Sequence, residues 1–340
     1  MSWDRIQGHE AQVEAFTRAV RRGRLAHAYL FVGPEGVGKR TFAVELAKAL
    51  LCEAPSADGR LQACDRCPAC VQVEAGTHPD FLTVARPEER LEFPVELMRE
   101  LCGRFALKSA RGRGKVVVID DADDLNEESA NCFLKTLEEP PPSSVLILIG
   151  SSPDRQLPTI VSRCQVVRFA PLADAMMSGL LQAQGVDEAA LRARLVRLGG
   201  GSPGQARALA DPELWDFWQS LVRGLTPPRP DTVKLSKAWL KFVEEAGKEA
   251  AAQRRRAALV LRLLVGFFAD ALAVSVGGSP RRTEPSERAS LEAFAQRLGP
   301  DRLHELLERC LEGDGQIDRR VQLVLILEAL LDALGQKMSA

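Results

Sequence analysis

The chain has 340 residues, 46% of them hydrophobic and 27% charged, and its 45 Lys and Arg against 46 Asp and Glu leave a formal net charge of −1. This is the composition of an ordinary soluble protein, long enough for two or three domains with a sizeable core. Near-neutral charge excludes a global field that would draw the chain onto nucleic acid, so any DNA contact must be local. The opening "MSWDRIQGHE" lacks the basic-then-apolar pattern of a signal peptide, and no apolar run is read as approaching the ~18 residues of a membrane span. The expectation is a cytoplasmic protein with no membrane partner, its eight cysteines reduced or metal-bound rather than paired as disulfides.

Residues 9–22 carry a helical pattern, and "AYLFV" (28–32) reads as a strand buried on both faces. Then comes "GPEGVGKRT", in which Gly33, Gly38 and Lys39 fit the phosphate-loop pattern G-x-x-x-x-G-K between a strand and a helix at 39–51. In such a loop the glycines let backbone N–H groups approach phosphate, the helix N-terminus favours negative charge, and the lysine adds a point charge. Gly33, Gly36, Gly38, Lys39, Arg40 and Thr41 are therefore the candidate nucleotide-binding residues. The position after the lysine, where Ser or Thr would ligate Mg²⁺, holds Arg40. Thr41 is no substitute, because one residue along a helix turns a side chain about 100° away. Binding of ATP or ADP stays open, and Mg²⁺ is not expected without nucleotide.

Next lie Cys52, Cys64, Cys67 and Cys70, spaced C-x11-C-x2-C-x2-C. Cysteines two apart in a tight turn converge on one tetrahedral ion, and thiolates suit Zn²⁺. The rival readings are a redox C-x-x-C pair and an iron–sulfur cluster. Cys102, Cys132, Cys164 and Cys310 lie singly on apolar patterns and read as small core residues.

"FLTV" (81–84) is the next strand and 94–106 the next helix. "SARGRGK" (109–115) is a basic glycine-containing loop, suited either to DNA phosphate or to a solvated turn. "KVVVID" (115–120) ends on Asp120, where a Walker B strand places its magnesium-orienting carboxylate. Asp121 follows where ATPases of this kind usually carry Glu, and the competing reading is a strand-end turn. A helix at 126–138 runs into "LEEPPP" (137–142), whose prolines stop it. Glu138 and Glu139 are then a solvated helix end or part of an interface. Strands follow at 145–150 and 165–169, giving alternating β and α and hence a parallel sheet wrapped by helices. Beyond "FAPL" strand signals stop: 172–208 reads as a small helical unit, and 212–335 as amphipathic helix broken at 226–231 and 277–287.

The segments "HAYLFVGPEGVGKR", "AGTHPDF", "KVVVIDDADDLNEESANCFLKTLEEPPPSSVLILI" and "LPTIVSRCQVVRF", with the four-cysteine module, together resemble bacterial clamp-loader subunits of the AAA+ superfamily. The resemblance covers about the first 210 residues. It implies an α/β AAA+ module at 1–170 with a zinc-binding insertion at 52–70, a helical lid at 171–210 and an all-α collar at 211–340 that holds a ring of subunits. It also assigns "SRC" a role: its arginine, Arg163, would reach the γ-phosphate of ATP bound by a neighbour, as an always-charged multi-donor fork can. Without the motif, Arg163 would read as a surface ion-pair partner at a strand start.

In motor subunits of that family a "GS-x-R" arginine senses nucleotide; here "GSPGQAR" places Gly204 at that position and Arg207 one turn on. The elements that serve the chain's own site thus depart from the motor pattern (Arg40, Asp121, Gly204), while the residue that serves a neighbour is kept. The resemblance therefore implies a non-motor subunit of the DNA polymerase III clamp loader, without independent ATPase activity. Its partners would be the gamma/tau motor subunits, the delta subunit, the sliding clamp and, through the assembled complex, primed DNA. The alternative is a gamma/tau-type motor, from which the chain differs by ending near residue 340 without the long polar extension of tau. A zinc-dependent nucleic-acid module is a third class, and near-neutral charge argues against it.

Overall fold

The computed structural model describes residues 2–56, 60–90, 92–319 and 321–339. These divide into two compact units, Met1–Gly185 with Gly200–Gln205, and Val186–Gly199 with Ala206–Ala340.

In the first unit, the described residues form one five-stranded parallel sheet: β1 (Ala28–Val32), β2 (Phe81–Val84), β3 (Val116–Ile119), β4 (Val145–Gly150) and β5 (Gln165–Arg168), in the order β2-β3-β4-β1-β5. Parallel strands cannot be joined by tight hairpins, so helices make the crossovers. These are α1 (Glu10–Arg21) ahead of β1, α2 (Lys39–Leu51), α3 (Pro68–Glu74), α4 (Val95–Ala106), α5 (Glu127–Glu138) and the short α6 (Pro158–Val161), with α7 (Asp174–Ala183) after the last strand. Every residue of β1, β3 and β4 is buried, as their unbroken apolar runs require.

Alternate side chains feed two cores. On one face Tyr29 and Phe31 pack with Phe16, Phe42 and Phe169 beneath α1 and α2. On the other, Leu30, Val117 and Ile119 pack with Met98, Phe105 and Phe133 of α4 and α5. Helix ends follow local chemistry. Asn126 caps α5 by accepting from Ser129 N at 2.8 Å, and Pro140 follows just past its end. Gly38 enters α2 at φ 108°, a left-handed conformation that glycine adopts without strain.

The second unit is helical: α8 (Ala189–Gly199), the end of α9 (Pro203–Ala208), α10 (Pro212–Leu225), α11 (Thr232–Glu244), α12 (Ala250–Ser275), α13 (Arg288–Asp318) and α14 (Leu323–Ser339). The expected breaks at 226–231 and 277–287 are present. Three more were not expected: one at 245–249 around Gly247 (φ 105°), a kink in α13 at Gly299 (φ 75°) before Pro300, and the interruption between α13 and α14. The 277–287 loop is fastened from below by Asp270, which is buried and accepts from the N–H groups of Arg281, Arg282 and Thr283.

One sequence expectation needs correction. Helix α12 is long and apolar enough to match a membrane span by length and composition, with an 18-residue window of mean hydropathy 2.1. Half of that window is buried within the protein, where Val260, Leu261, Leu264 and Phe268 are enclosed and Phe268 meets Phe294 of α13. Its apolarity serves a helical core.

Candidate functional site

Three clusters of chemistry-bearing residues lie on the first unit. The phosphate loop leaves the end of β1, where Gly33 N donates to Ser151 O at 3.0 Å. A Cβ on Gly33 would come 2.2 Å from Phe169 O, so only glycine fits there. Lys39 is buried at the start of α2, and its ammonium donates to the carbonyls of Gly33 (2.6 Å) and Pro34 (2.8 Å). Burial lowers its pKa against the opposing charges of Asp120, Asp123 and Glu35.

Arg40 reaches across to the end of β3, where its Nη1 lies 3.1 Å from Asp120 Oδ2. A departure from the motor pattern therefore meets a residue that keeps it: the Arg40 guanidinium stands on the carboxylate at the Walker B position. Asp121 sits beside them, exposed and in a left-handed turn (φ 54°), its N–H donating to Asp120. Thr41 is exposed. Residues 200–205 close over the loop: Ser202 Oγ donates to Glu35 O (2.7 Å) and Gly204 N to Gly36 O (3.0 Å). A Cβ on Gly204 would lie 2.7 Å from Gly36 Cα, so glycine at 204 is what allows this approach. Arg207 is exposed and belongs to the other unit.

The second cluster is the cysteine module. Residues 57–59 of the expected 52–70 insertion lie outside the described residues. The four sulfurs of Cys52, Cys64, Cys67 and Cys70 lie within 4.8 Å of one another, with Cys52–Cys67 and Cys64–Cys70 each at 4.0 Å. A Zn–S bond of about 2.3 Å demands tetrahedral edges of about 3.8 Å, so the donor set fits an ion such as Zn²⁺. The fold builds the site from both ends. Cys52 caps the C-terminus of α2, while the short α3, which the sequence pattern does not reveal, starts on Cys67 and carries Cys70. Backbone N–H groups of Cys67 and Cys70 donate to the sulfurs of Cys64 and Cys67. Burial opposes ionisation of Cys67, but the N–H groups and thiols around it outweigh burial and bring it down to about 6. The isolated cysteines differ: burial pushes the Cys164 and Cys310 thiols up to about 12.

The module is tied to the rest of the unit by charge. Lys48 of α2, itself buried, pairs with Glu45 (3.2 Å), with Asp65 of the module (2.7 Å) and with Glu74 of α3 (3.1 Å). The basic loop 109–115 docks on the same module: Arg111 pairs with Glu53 and donates to Gln72 Oε1 at 2.7 Å. Beneath it, buried Asp80 of "THPDF" accepts from Ser109 Oγ (3.0 Å), Ala110 N (2.8 Å) and Arg111 N (3.0 Å). Burial resists ionisation of Asp80, but these donors prevail and hold its carboxyl below the ordinary 3.8. A depressed folded value means that its stabilisation is present above the unfolded value and lost as pH falls through the folded one. Asp80→Asn is expected to lower the urea midpoint at neutral pH by an equivalent of about 2 kcal/mol, since an amide cannot accept all three bonds. An unchanged midpoint would remove Asp80 from this role.

The third cluster joins two segments far apart in sequence. Arg163 follows α6, and its side chain is 34% exposed. Its Nε and Nη2 donate to Glu138 Oε1 (3.0 and 2.5 Å), while Nη1 donates to Thr159 O (3.0 Å). "LEEPPP" and "SRC" thus converge on one ion pair at the surface.

A family model described as DNA polymerase III, delta subunit, matches residues 8–173, which carry the phosphate loop, the four cysteines and the Arg163–Glu138 pair. DNA polymerase III subunit delta' of Escherichia coli is 30% identical over 295 residues, covering 86% of this chain and 84% of that protein. The chain belongs to the delta-prime family of DNA polymerase III clamp-loader subunits. Delta' of Pseudomonas aeruginosa is 42% identical over 190 residues, 55% of this chain and 57% of that protein. Among solved structures, a gamma-subunit-related protein of Thermotoga maritima aligns over 96% of this chain and 99% of its own, at 19% identity and TM-score 0.47.

Proposed function

We propose that this delta-prime chain is a non-motor clamp-loader subunit. It completes the ring, presents Arg163 in trans to the ATPase site of a neighbouring gamma/tau subunit, and helps load the sliding clamp onto primed DNA. On this reading residues 1–170 are the AAA+ module, 171–210 the lid and 211–340 the collar that meets the other subunits, the delta subunit among them, in the cytoplasm. Cys52, Cys64, Cys67 and Cys70 hold a structural Zn²⁺ whose contribution is folding energy rather than chemistry.

The Arg40–Asp120 ion pair carries the reading. A magnesium–nucleotide pair needs a small hydroxyl at position 40 and a free carboxylate at 120. Here an always-protonated cation occupies the first and neutralises the second, and Gly204 without a side chain replaces the sensing arginine. Arg163, by contrast, is placed at the surface on an exposed ion pair that supports a role directed outward.

The isolated chain is expected to show no ATP turnover above background, with no change in Lys39→Ala and no rise in Tm on adding Mg-ATP. Turnover at motor-like rates that is lost in Lys39→Ala would reverse the assignment in favour of a gamma/tau-type motor.

A further inference from the structure

Arg163 does not stand free, and the residue that holds it is one that the finger reading leaves without a role. Glu138 is the last residue of α5, stopped there by the prolines that follow, so its carboxylate is delivered from a helix end rather than a loose loop. It takes the Nε–Nη2 edge of the guanidinium on a single oxygen, Oε1, while the opposite nitrogen Nη1 is anchored on the backbone carbonyl of Thr159. The Nε–Nη2 edge is one that arginine offers to carboxylates and phosphates as a fork. We propose that Glu138 is a positioning residue for Arg163: it keeps the fork extended and oriented in the free subunit and yields that edge to phosphoryl oxygens of a nucleotide on the neighbouring subunit.

The inference rests on the finger reading and adds a second residue to it. Two features make the exchange feasible. The pair is half-exposed, with Glu138 at 51%, so it is screened and readily broken. The Thr159 anchor does not compete with phosphate, so the guanidinium keeps one fixed contact when its partner changes. Without Glu138 the long side chain is held only through Nη1, on Thr159 O and Ser162 Oγ, and the ordering of its Nε–Nη2 edge would fall on the transition state.

The test uses the complete clamp-loader complex reconstituted with wild-type, Glu138→Ala, Glu138→Gln, Arg163→Ala or doubly substituted subunit, with steady-state ATP turnover as readout. Glu138→Ala is expected to lower kcat by about two- to tenfold, the cost of ordering one rotamer-rich side chain, with KM for ATP little changed. Glu138→Gln, which keeps the accepting oxygen, should recover part of the loss. In the Arg163→Ala background Glu138→Ala should cost nothing further, a coupling that a merely structural role would not produce. Turnover in Glu138→Ala equal to or faster than wild type, while Arg163→Ala is slow, overturns the positioning role and leaves the finger standing. An equal loss from Glu138→Ala in both backgrounds also overturns it. Normal turnover in Arg163→Ala removes the finger, and the positioning role with it.

Discussion

In a clamp-loader complex carrying Arg163→Ala, hydrolysis at the neighbouring site that Arg163 is proposed to serve is expected to slow by about 10³-fold or more, the range set by arginines supplied in trans to phosphoryl transfer. Turnover of the whole ring should fall by the share of that site and of any site coupled to it, while assembly is unchanged. The structural reason is that truncation strands no buried charge: Glu138, left alone, is half in solvent, and the core beneath is made by Ile160 and Leu137. Arg163→Lys should recover little, because an ammonium is a point charge and cannot span two oxygens as a planar fork does. Single-turnover measurement of ATP hydrolysis, with size-exclusion chromatography of the complex, separates the chemical step from assembly. Unchanged hydrolysis in an intact ring would rule out the finger.

The sequence makes the middle of the sheet legible because β1, β3 and β4 are enclosed on both faces and appear as unbroken apolar runs, whereas the edge strands β2 and β5 are partly exposed. Helix α5 is equally plain, with Asn126 at one end and Pro140 just past the other. Helix α3 is not, since seven residues bearing a metal-site cysteine show no helical stripe. The break at Gly247 is hidden among strong helix formers in "VEEAGKEAA". The site divides along the same line. Spacing alone marks the phosphate loop and the cysteines, because their groups are near in sequence or share a motif. The pairs that give the site its meaning are separated by 80 residues for Arg40–Asp120 and 25 for Glu138–Arg163, and charges carry no local pattern that names a partner. Lys48 had a usable signal, a Lys–Glu pair three apart on the apolar face of α2, where a lone cation would not be tolerated.

Loss of the metal should have the widest structural effect. Freshly purified protein is expected to carry one Zn²⁺ per chain, and Cys70→Ser to carry none. Around the sulfurs the buried cluster is only Cys52, Ala63 and Cys70, while Leu61 packs into the sheet core instead, so the thiols meant for the ion are most of the module's own core. Structural zinc contributes about 10–16 kcal/mol in small domains, and even a third of that, lost from a unit of this size, should lower its Tm by about 10 °C or more. The damage should spread along defined contacts. Cys52 ends α2, the helix that begins at Lys39, so the last turn of that helix loses its anchor. Asp65, one of the buried Lys48's partners, lies within the module, and Arg111 reaches it through Glu53 and Gln72, so the 109–115 loop should loosen as well. Limited proteolysis should then cut between residues 52 and 70 and at the basic loop before the sheet unfolds. Elemental analysis and thermal unfolding decide the matter: freshly purified wild type that carries no metal, or wild type whose Tm is unchanged when a chelator strips the metal, would mean that the four thiols pack as a small core and nothing more.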